Sequence, residues 1–449
     1  MTIKQLQAVH RQHTEYIDDH ASDGNADLVQ RYRLVRRATE AMAARLARED
    51  TVIQTMPDVS PTKWHLGHTS WFFEQFLLTD GPAADPQYRP FHDRFAYIFN
   101  SYYVTVGDRH CRIKRGTLSR PTLDEVLDYR HHVDRAVERQ LQALTPDQRE
   151  AVEPLLVIGL HHEQQHIELA HTDIKHVFSC NPLYPAYTDL PKDDGRPTAT
   201  RFLHVDAGLH EIGHDGDDFS YDNERPRHQV YLRPFEIADR LVTNGEFLEF
   251  VRDGGYERAE LWLSEGWAHV CADKTNWSAP FYWHRDGDDW HEFTLGGLVP
   301  LDRDAPVCHL SYFEADAFAR WSKMRLPTEA EWEVAVARHG DTRGSFLDAG
   351  RLHPGRDAGD GRLRQAMGEV WQWTATQYTG YPGYKAPAGA MGEYNGKFMC
   401  NQFVLRGASC VTPESHARMT YRNFFPPDAR WQFTGLRLAR DADDHAATL

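Results

Sequence analysis

The sequence predicts a multidomain protein with a helical N-terminal half and a mixed α+β C-terminal half. Three observations support this fold class. The chain has 449 residues, which is more than one ordinary hydrophobic core accommodates, so two or three domains are expected. Residues 1 to about 185 carry apolar side chains at helical intervals. Beyond a Pro-rich stretch the sequence becomes rich in Gly, Trp and short strand-like runs, which is typical of a loop-rich α+β domain.

Four amphipathic segments predict helices in the N-terminal half. Asp27 and Ser60 are the expected N-caps of the first two, and Pro61 follows Ser60 as the first helical residue. Thr122 and Glu125 are expected to form a capping box on the third. Four helices with one long aromatic connection suggest a four-helix bundle, and facing helices of such bundles commonly carry metal sites in the core. The predicted helices span Asp27–Arg48, Thr62–Thr79, Thr122–Leu144 and Asp147–Phe178.

The Pro-rich and polar stretch from Cys180 to Pro197 predicts a connection between domains. We therefore expect a helical domain over residues 1–185, a linker over 186–200 and a second domain over 201–449. The expected strands of the second domain include Phe202–Val205, Gln229–Leu232 and Phe403–Arg406, and its expected helices are Thr243–Arg252, Tyr312–Lys323 and Thr328–His339.

Composition and charge argue against several classes of function. Asp and Glu number 66 against 50 Lys and Arg, so the formal net charge is −16. This charge disfavours nucleic acid or an anionic membrane surface as a partner. No apolar run reaches the roughly 18 residues of a transmembrane helix, and the N-terminal stretch lacks the apolar core of a signal peptide. We expect a cytoplasmic protein in which the six scattered cysteines form no disulfide framework.

The stretch Leu160–Asp173 reads L-H-H-E-Q-Q-H-I-E-L-A-H-T-D and contains the main chemical signal. His162 and His166 are four residues apart and therefore lie on the same face of a helix. Two such imidazoles can bind one transition metal, and neutral imidazole suits Fe, Zn, Cu and Ni alike. The third ligand could be His65 or His68 from another helix, and the residues alone leave both open. The alternative is a polar helix face in a chain that has 26 histidines.

Two further features concern the surroundings of these histidines. Gly67, beside His68, is expected to allow a close approach of the backbone to a neighbouring helix or a ligand. Glu168 and Asp173 are candidate hydrogen-bond acceptors that would set the tautomers of ligating imidazoles.

Tyr102 and Tyr103 lie in the aromatic connection between the second and third helices. A tyrosine near a redox metal can deliver a proton or an electron, whereas most Tyr pairs are packing residues with one hydrogen bond.

A basic cluster in this acidic protein is formed by Arg109, Arg112 and Arg115. Because guanidinium groups bind carboxylates bidentately, the cluster could hold an amino-acid carboxylate, and the alternative is a solvated loop face.

The stretch Tyr421–Phe433, Y-R-N-F-F-P-P-D-A-R-W-Q-F, is too aromatic and too Pro-rich for a plain surface loop. Aromatic rings beside Asn423 could hold a quaternary ammonium group through cation–π contacts. The alternative is core packing of the last strand.

Taken together, these stretches resemble the ergothioneine-biosynthesis sulfoxide synthases (EgtB-type) over nearly the whole chain. Four motifs of the N-terminal half are similar to that family's DinB-like helical domain: S-P-T-K-W-H-L-G-H-T-S-W-F-F-E, F-N-S-Y-Y-V-T-V-G, L-S-R-P-T and H-E-Q-Q-H-I-E-L. Motifs of the C-terminal half are similar to its formylglycine-generating-enzyme-like domain, of C-type-lectin-like fold: E-R-P-R-H-Q-V-Y-L, T-N-G-E-F-L-E-F, R-L-P-T-E-A-E-W-E, V-L-R-G-A-S-C and Y-R-N-F-F-P-P-D-A-R-W-Q-F-T-G-L-R-L.

The resemblance implies a non-haem Fe(II) oxidoreductase that uses O2 as co-substrate. Its reaction would join a thiol to C2 of the imidazole of hercynine (Nα-trimethylhistidine) and give a sulfoxide. Hercynine and cysteine would be its small-molecule partners. The matching motifs imply His68, rather than His65, as the third iron ligand beside His162 and His166.

The same resemblance implies the substrate contacts. Gln165 matches the family glutamine that contacts the hercynine imidazole. Asn423 and Phe424 fall where the family holds the trimethylammonium group. Arg112 and Arg115 fall where it holds the carboxylate of the thiol substrate.

The resemblance also bears on the proton donor and on the thiol. One branch of the family places its catalytic tyrosine at the position of Tyr103, with Tyr102 as the neighbour. Members that use γ-glutamylcysteine have an acidic residue where this chain has Phe425, which implies free cysteine. Cys400 and Cys410 do not obviously reproduce the copper-binding cysteines of the true formylglycine-generating enzymes, so aldehyde formation on a protein substrate is not expected.

Two alternatives stay open on the sequence, one from another class of protein and one within the same family. The bundle could be a binding or assembly module without chemistry. A related enzyme could instead form a C–S or C–Se bond with γ-glutamylcysteine, a selenosugar or histidine itself. The residues do not indicate an oligomeric state.

Overall fold

The structure is a computed structural model that describes residues 24–340, 342–357, 362–388, 392 and 394–442. The chain divides into two compact units. The first comprises Met1–Tyr187 and Thr412–His416, and the second comprises Thr188–Val411 and Ala417–Leu449. The stretch 1–23, for which the sequence predicts no signal peptide, lies outside the described residues.

The first unit is a helical bundle. Helices α1 and α2 both pack against α4 and α5, so that four long helices share one core, as the sequence predicts. A π-helical turn over Glu74–Thr79 continues α2, and a 3-10 helix over Arg112–Thr117 precedes α4. The helices are α1 (Gly24–Ala43), α2 (Thr62–Phe73), α3 (Phe95–Phe99), α4 (Leu123–Ala143) and α5 (Pro146–Ser179).

The predicted N-caps of the first two helices are wrong. Asp27 lies inside α1, which already includes Gly24. The N-cap position of α2 is occupied by Pro61, without a side-chain cap, and not by Ser60. Ser60 makes tertiary contacts instead. Its hydroxyl accepts a hydrogen bond from Arg115, and its backbone N–H donates to the Asp173 carboxylate of α5.

The predicted capping box at the start of α4 is confirmed. The Glu125 N–H donates to the Thr122 hydroxyl, and the Glu125 carboxylate accepts from the Thr122 N–H. Each box satisfies backbone N–H groups that have no partner within the helix, so it fixes where the helix begins. Among the α-helices that the structure describes, four more start in the same way, at Thr145/Gln148, Thr243/Glu246, Ser311/Glu314 and Thr328/Glu331.

The second unit is a mixed α+β domain, which confirms the predicted class. Its helices are α6 (Asn244–Arg252), α7 (Ser264–Cys271), α8 (Tyr312–Trp321) and α9 (Glu329–His339). Its strands are β1 (Phe202–Val205), β2 (Gly208–Ile212), β3 (His228–Leu232), β4 (Phe235–Ala238), β5 (Trp283–Asp286), β6 (Asp289–Thr294), β7 (Gly297–Pro300), β8 (Trp371–Gln377), β9 (Phe403–Arg406), β10 (Asn423–Phe425), β11 (Thr434–Gly435) and β12 (Ala439–Asp441).

Short strands are distributed over several small sheets. One sheet has the order β1-β4-β12, a second has the order β10-β9-β8-β11, a third has the order β5-β6-β7, and β2 pairs with β3 as a hairpin. Neighbouring strands are antiparallel except β8 and β11, which are parallel. In the second sheet Asn423 is opposite Leu405 and Phe425 is opposite Phe403. The alternative interpretation of the aromatic stretch, packing of the last strand, is correct in that the stretch contains β10 and wrong in that β11 and β12 follow it.

Buried charge pairs hold the core of the second unit. Arg422 is 1% exposed and binds the Glu329 carboxylate with two nitrogen–oxygen distances of 2.9 Å. In the stretch predicted as a linker, Asp193 accepts hydrogen bonds from the backbone N–H groups of Gly195 and Arg356.

Within the described ranges, none of the helices combines the length and the hydropathy that a membrane span requires.

Candidate metal centre

Three histidines from two helices meet in the core of the bundle. Helix α5 supplies His162 and His166, one turn apart, and α2 supplies His68. One ring nitrogen from each lies within 4.8 Å of the other two. All three side chains are buried. The structure thus brings together the three predicted ligands, and their role as ligands stays a prediction.

The spacing of the three rings fits a transition metal. The Nε2 atoms of His68 and His162 are 3.2 Å apart. Two nitrogens that each lie about 2.0–2.1 Å from one ion are roughly 2.8–3.4 Å apart for bond angles between octahedral and tetrahedral values. At this distance the two nitrogens can share one proton in a hydrogen bond, or both can direct lone pairs at one cation. The donor set of neutral imidazoles is therefore suited to a divalent transition metal.

The orientation of His68 is set by its neighbours. Its Nδ1 is 2.6 Å from the carbonyl oxygen of Phe99. A carbonyl can only accept, so Nδ1 carries the proton and Nε2 keeps the lone pair. The indole of Trp64 stacks on the His68 ring with centroids 4.6 Å apart and planes at 11°. The Trp64 indole N–H donates in turn to the carbonyl of Ile98, at 3.0 Å.

Burial keeps the three imidazoles neutral. Burial lowers the pKa of His162 to about 3. Burial, and then the neighbouring histidines, also hold the pKa values of His68 and His166 well below the usual range. At neutral pH the rings therefore offer lone pairs without first releasing protons, which favours metal binding.

His65 is not a member of the group, although the residues alone could not separate it from His68. Its Nδ1 is 2.8 Å from Nδ1 of His166, and its Nε2 is 2.9 Å from Oδ2 of Asp173. Of the two predicted acceptors, Asp173 is thus connected to His166 through His65. Glu168 accepts a hydrogen bond from the hydroxyl of Thr412.

A buried ion cluster anchors α5 beside the histidines. The Glu163 carboxylate accepts from Arg36, Arg130 and Thr39, and all four side chains are almost fully buried. Burial by itself raises the pKa of Glu163, but Arg130 and Arg36 lower it to about 2. The carboxylate is therefore ionised and anchors the turn of α5 that also carries His162.

Tyr103 lies in the aromatic shell of the histidine group. Its ring centroid is 5.7 Å from that of Trp71 and 6.3 Å from that of Phe72. Those two rings lie 5.6 Å from His68 and 4.4 Å from His162, respectively. Tyr103 is fully buried, whereas Tyr102, which stacks on it, is half-buried.

The two predicted carboxylate-binding arginines differ in environment. Arg112 is exposed and donates to the carbonyl of Asp58, at 2.8 Å. Arg115 is 5% exposed, donates to the Ser60 hydroxyl at 2.8 Å, and lies 3.3 Å above the centroid of Trp64. Burial, and then Arg112, lower the pKa of Arg115 to about 9, so it is still a cation at neutral pH. Arg109 of the same cluster is exposed.

A loop that the sequence analysis missed packs along α5. The segment Thr412–His416 belongs to the first compact unit. Gln164 donates to the Ser415 hydroxyl at 2.6 Å, and Nδ1 of His161 is 3.0 Å from Nδ1 of His416. Gln165, the predicted imidazole contact, is half-buried. No local signal marks this loop, because its partners lie about 250 residues earlier in the chain.

The predicted ammonium-binding residues lie in the second unit. Asn423, Phe424 and Phe425 form β10, and all are half-buried. The Phe424 ring stacks on Tyr378 at 4.0 Å, with Phe398 at 5.9 Å. Phe425 lies near Trp431, with ring centroids 6.3 Å apart.

Comparisons with known proteins agree with the two units. The DinB superfamily model matches residues 31–170, and the Sulfatase-modifying factor enzyme 1-like domain matches 187–363 and 358–442. The hercynine oxygenase of Mycolicibacterium smegmatis is 31% identical over 91% of this chain and 100% of its own length. That of Mycobacterium tuberculosis is 30% identical over 86% and 92%. The formylglycine-generating enzyme of Streptomyces coelicolor is 30% identical but covers only 58% of this chain and 95% of its own.

A DinB bundle with a buried histidine group, joined to a sulfatase-modifying-factor-type domain, defines a two-domain enzyme of the oxygenase class. The chain belongs to the hercynine oxygenase family, because both domains and nearly the full length match those relatives. The predicted family, fold class and enzymatic nature are confirmed.

Proposed function

We propose that this protein is a non-haem Fe(II), O2-dependent sulfoxide synthase of ergothioneine biosynthesis. It joins cysteine to C2 of the hercynine imidazole and gives hercynylcysteine sulfoxide. The observation that carries the proposal is the buried group of three neutral histidines, in a chain of the hercynine oxygenase family.

The reaction balances without another reductant. Hercynine loses the hydrogen on C2 and cysteine loses its thiol hydrogen. A C–S bond and an S–O bond form, and O2 takes up four electrons to give the sulfoxide oxygen and one water. When bound by His68, His162 and His166, Fe(II) would supply O2 reduction and would favour the thiolate form of cysteine.

The residues of the chain would bind and orient the two substrates, because holding both reactants in register can supply much of the rate. The buried Arg115 and the exposed Arg112 are suited to the cysteine carboxylate. The side chain of Gln165 can hydrogen-bond the hercynine imidazole. The rings of Phe424, Tyr378 and Phe398 offer faces of the kind that bind a trimethylammonium group.

Tyr103 is the proposed proton donor. Its complete burial and its place in the aromatic shell of the histidines favour it over the half-buried Tyr102. A positioned general acid contributes about 10²–10⁴-fold. Delivering the proton during C–S bond formation would prevent oxidation of the thiol alone.

The test is product analysis under controlled loading. The metal-free protein is given Fe(II) anaerobically, then hercynine and cysteine, and then O2, with O2 uptake and products followed by mass spectrometry. We expect one hercynylcysteine sulfoxide per O2, and no O2 uptake by His162→Ala although that variant still folds. Separate reactions with γ-glutamylcysteine, a selenosugar, or histidine in place of hercynine test the related chemistries. Full iron content and activity in His162→Ala would place the site elsewhere and overturn the proposal.

A further inference from the structure

A chain of three buried side chains extends from the histidine group toward the end of α5. His166 Nδ1 is 2.8 Å from His65 Nδ1, and His65 Nε2 is 2.9 Å from Asp173 Oδ2. The exposed fractions of His166, His65 and Asp173 are 9%, 3% and 5%. Polar groups this buried are stable only when they are paired, so the direction of each hydrogen bond is significant.

The Asp173 carboxylate determines which atom donates in each of these hydrogen bonds. Asp173 Oδ2 already accepts from the backbone N–H of Ser60, at 2.9 Å. With the Asp173 carboxylate as the acceptor, His65 donates from Nε2. In the tautomer whose single ring proton is on Nε2, His65 has its lone pair on Nδ1 and accepts there. His166 must therefore donate its Nδ1–H to His65, which leaves the lone pair of His166 on Nε2.

We propose that His65 and Asp173 are positioning residues that hold His166 in the Nδ1–H tautomer. This inference rests on the proposed function, because it assigns the Nε2 lone pair of His166 to the metal. His68 reaches the same tautomer through the Phe99 carbonyl, a backbone group that no substitution removes. For His166 the groups that set the tautomer are the side chains of His65 and Asp173, so their role can be tested by substitution.

The hydrogen bonds of His166, His65 and Asp173 also connect the histidine group to the start of α2. Ser60 donates its N–H to Asp173 and accepts from Arg115 through its hydroxyl. The segment that holds Arg115 is thus hydrogen-bonded to the carboxylate that orients His65. This shared anchor explains why Ser60 does not cap α2.

The choice of variants follows from the acceptor that His166 needs. In His65→Leu the acceptor is lost. In His65→Gln the amide oxygen can accept from His166 and the amide nitrogen can donate to Asp173. This variant should therefore restore the Nδ1–H tautomer of His166. Glu168→Gln is the matched control, since it removes a charge from the same helix without touching His65.

The first readout is metal binding by the full chain, with Co(II) as the probe in a chelator competition. We expect the Kd of His65→Leu to rise about 10–100-fold, and those of His65→Gln and Glu168→Gln to change by less than about threefold. Wild-type affinity in His65→Leu would overturn the proposal. If the wild-type protein bound no metal, the proposed function would fail instead.

The second readout does not depend on metal. In the metal-free wild-type protein labelled with [¹⁵N]histidine, long-range ¹H–¹⁵N spectra report which ring nitrogen carries the proton. His166, assigned from the difference with His166→Gln, should show Nδ1–H, and His65 should show Nε2–H. A proton on Nε2 of His166 would contradict the inference, whatever the metal experiment gives.

Discussion

Gly67 lies directly against Phe99: a Cβ atom on the glycine would be 2.2 Å from the phenyl ring. The absence of a side chain lets α3 approach α2 closely enough for the Phe99 carbonyl to reach Nδ1 of His68 at 2.6 Å. The expected close approach at Gly67 is thereby confirmed, and its partner is a neighbouring helix. The backbone of one short helix thus orients one histidine of the group.

Gly67→Ala should therefore weaken metal binding as well as stability. The methyl group has to displace Phe99, and overpacking of this kind costs about 1–3 kcal/mol. We expect the free energy of unfolding in urea to fall by that amount and the affinity for Co(II) to fall at least tenfold. Gly255→Ala is the matched control, because its Cβ would also lie 2.2 Å from a phenyl ring, that of Phe250 in the second unit. Equal loss of metal affinity in both variants would show that the effect is not specific to His68.

Glu163→Gln should strongly destabilise the bundle. Removing the charge leaves Arg36 and Arg130 buried without their shared partner, and breaking a buried ion pair in this way costs about 3–5 kcal/mol. Urea unfolding followed by tryptophan fluorescence measures the difference. The same change at Glu153, whose pair with Arg149 is partly exposed, should cost less than about 0.5 kcal/mol.

The pH dependence of the Glu163 effect has a definite sign. The pKa of Glu163 is about 2 in the folded protein, against 4.5 for an unperturbed glutamate side chain. Between pH 4.5 and pH 2, Glu163 is protonated in the unfolded protein but stays ionised in the folded protein. The stabilisation by Glu163 is therefore complete above pH 4.5 and is lost as the pH falls toward 2. The difference in unfolding free energy between wild type and Glu163→Gln should shrink over that interval. A difference that stays constant down to pH 3 would contradict the assignment of an ionised Glu163.

Tyr103→Phe should change the product rather than the fold. Without the phenol, proton delivery is slowed, and O2 oxidises the thiol of cysteine to the sulfinate instead of supporting C–S bond formation. The ratio of sulfinate to sulfoxide, measured by mass spectrometry at equal O2 consumption, should rise at least tenfold. Tyr102→Phe should leave the ratio close to that of the wild type. The roles would have to be exchanged if only Tyr102→Phe raised it.

Phe425 should exclude γ-glutamylcysteine. A glutamyl ammonium group beside this half-buried ring would lose hydration without gaining a carboxylate partner. The nearby Asp428 is exposed. We expect kcat/KM for cysteine to exceed that for the dipeptide at saturating hercynine, and Phe425→Asp to shift the ratio toward the dipeptide. Phe425→Leu removes the ring without adding charge and should produce no such shift. A wild-type preference for the dipeptide would refute this role of Phe425.

Much of the local structure could be predicted from the sequence, because its determinants lie within a few residues of one another. The capping box of Thr122 and Glu125 marks the start of α4, and apolar periodicity indicates that this segment is an amphipathic helix. His162 and His166 share a face because the helical repeat places residues four apart on one side. The many motifs in order also indicated the family, which the comparisons confirm.

Only the tertiary structure decided which side chains meet. His65 and His68 are three residues apart and were equivalent candidates on their residues alone, yet packing of α2 on α5 places His68 in the histidine group and His65 beside Asp173. The same packing buries Arg115 and leaves Arg112 exposed. These contacts join residues that are tens to more than a hundred positions apart. They depend on how ridges and grooves of whole helices fit together, which short-range sequence patterns do not encode.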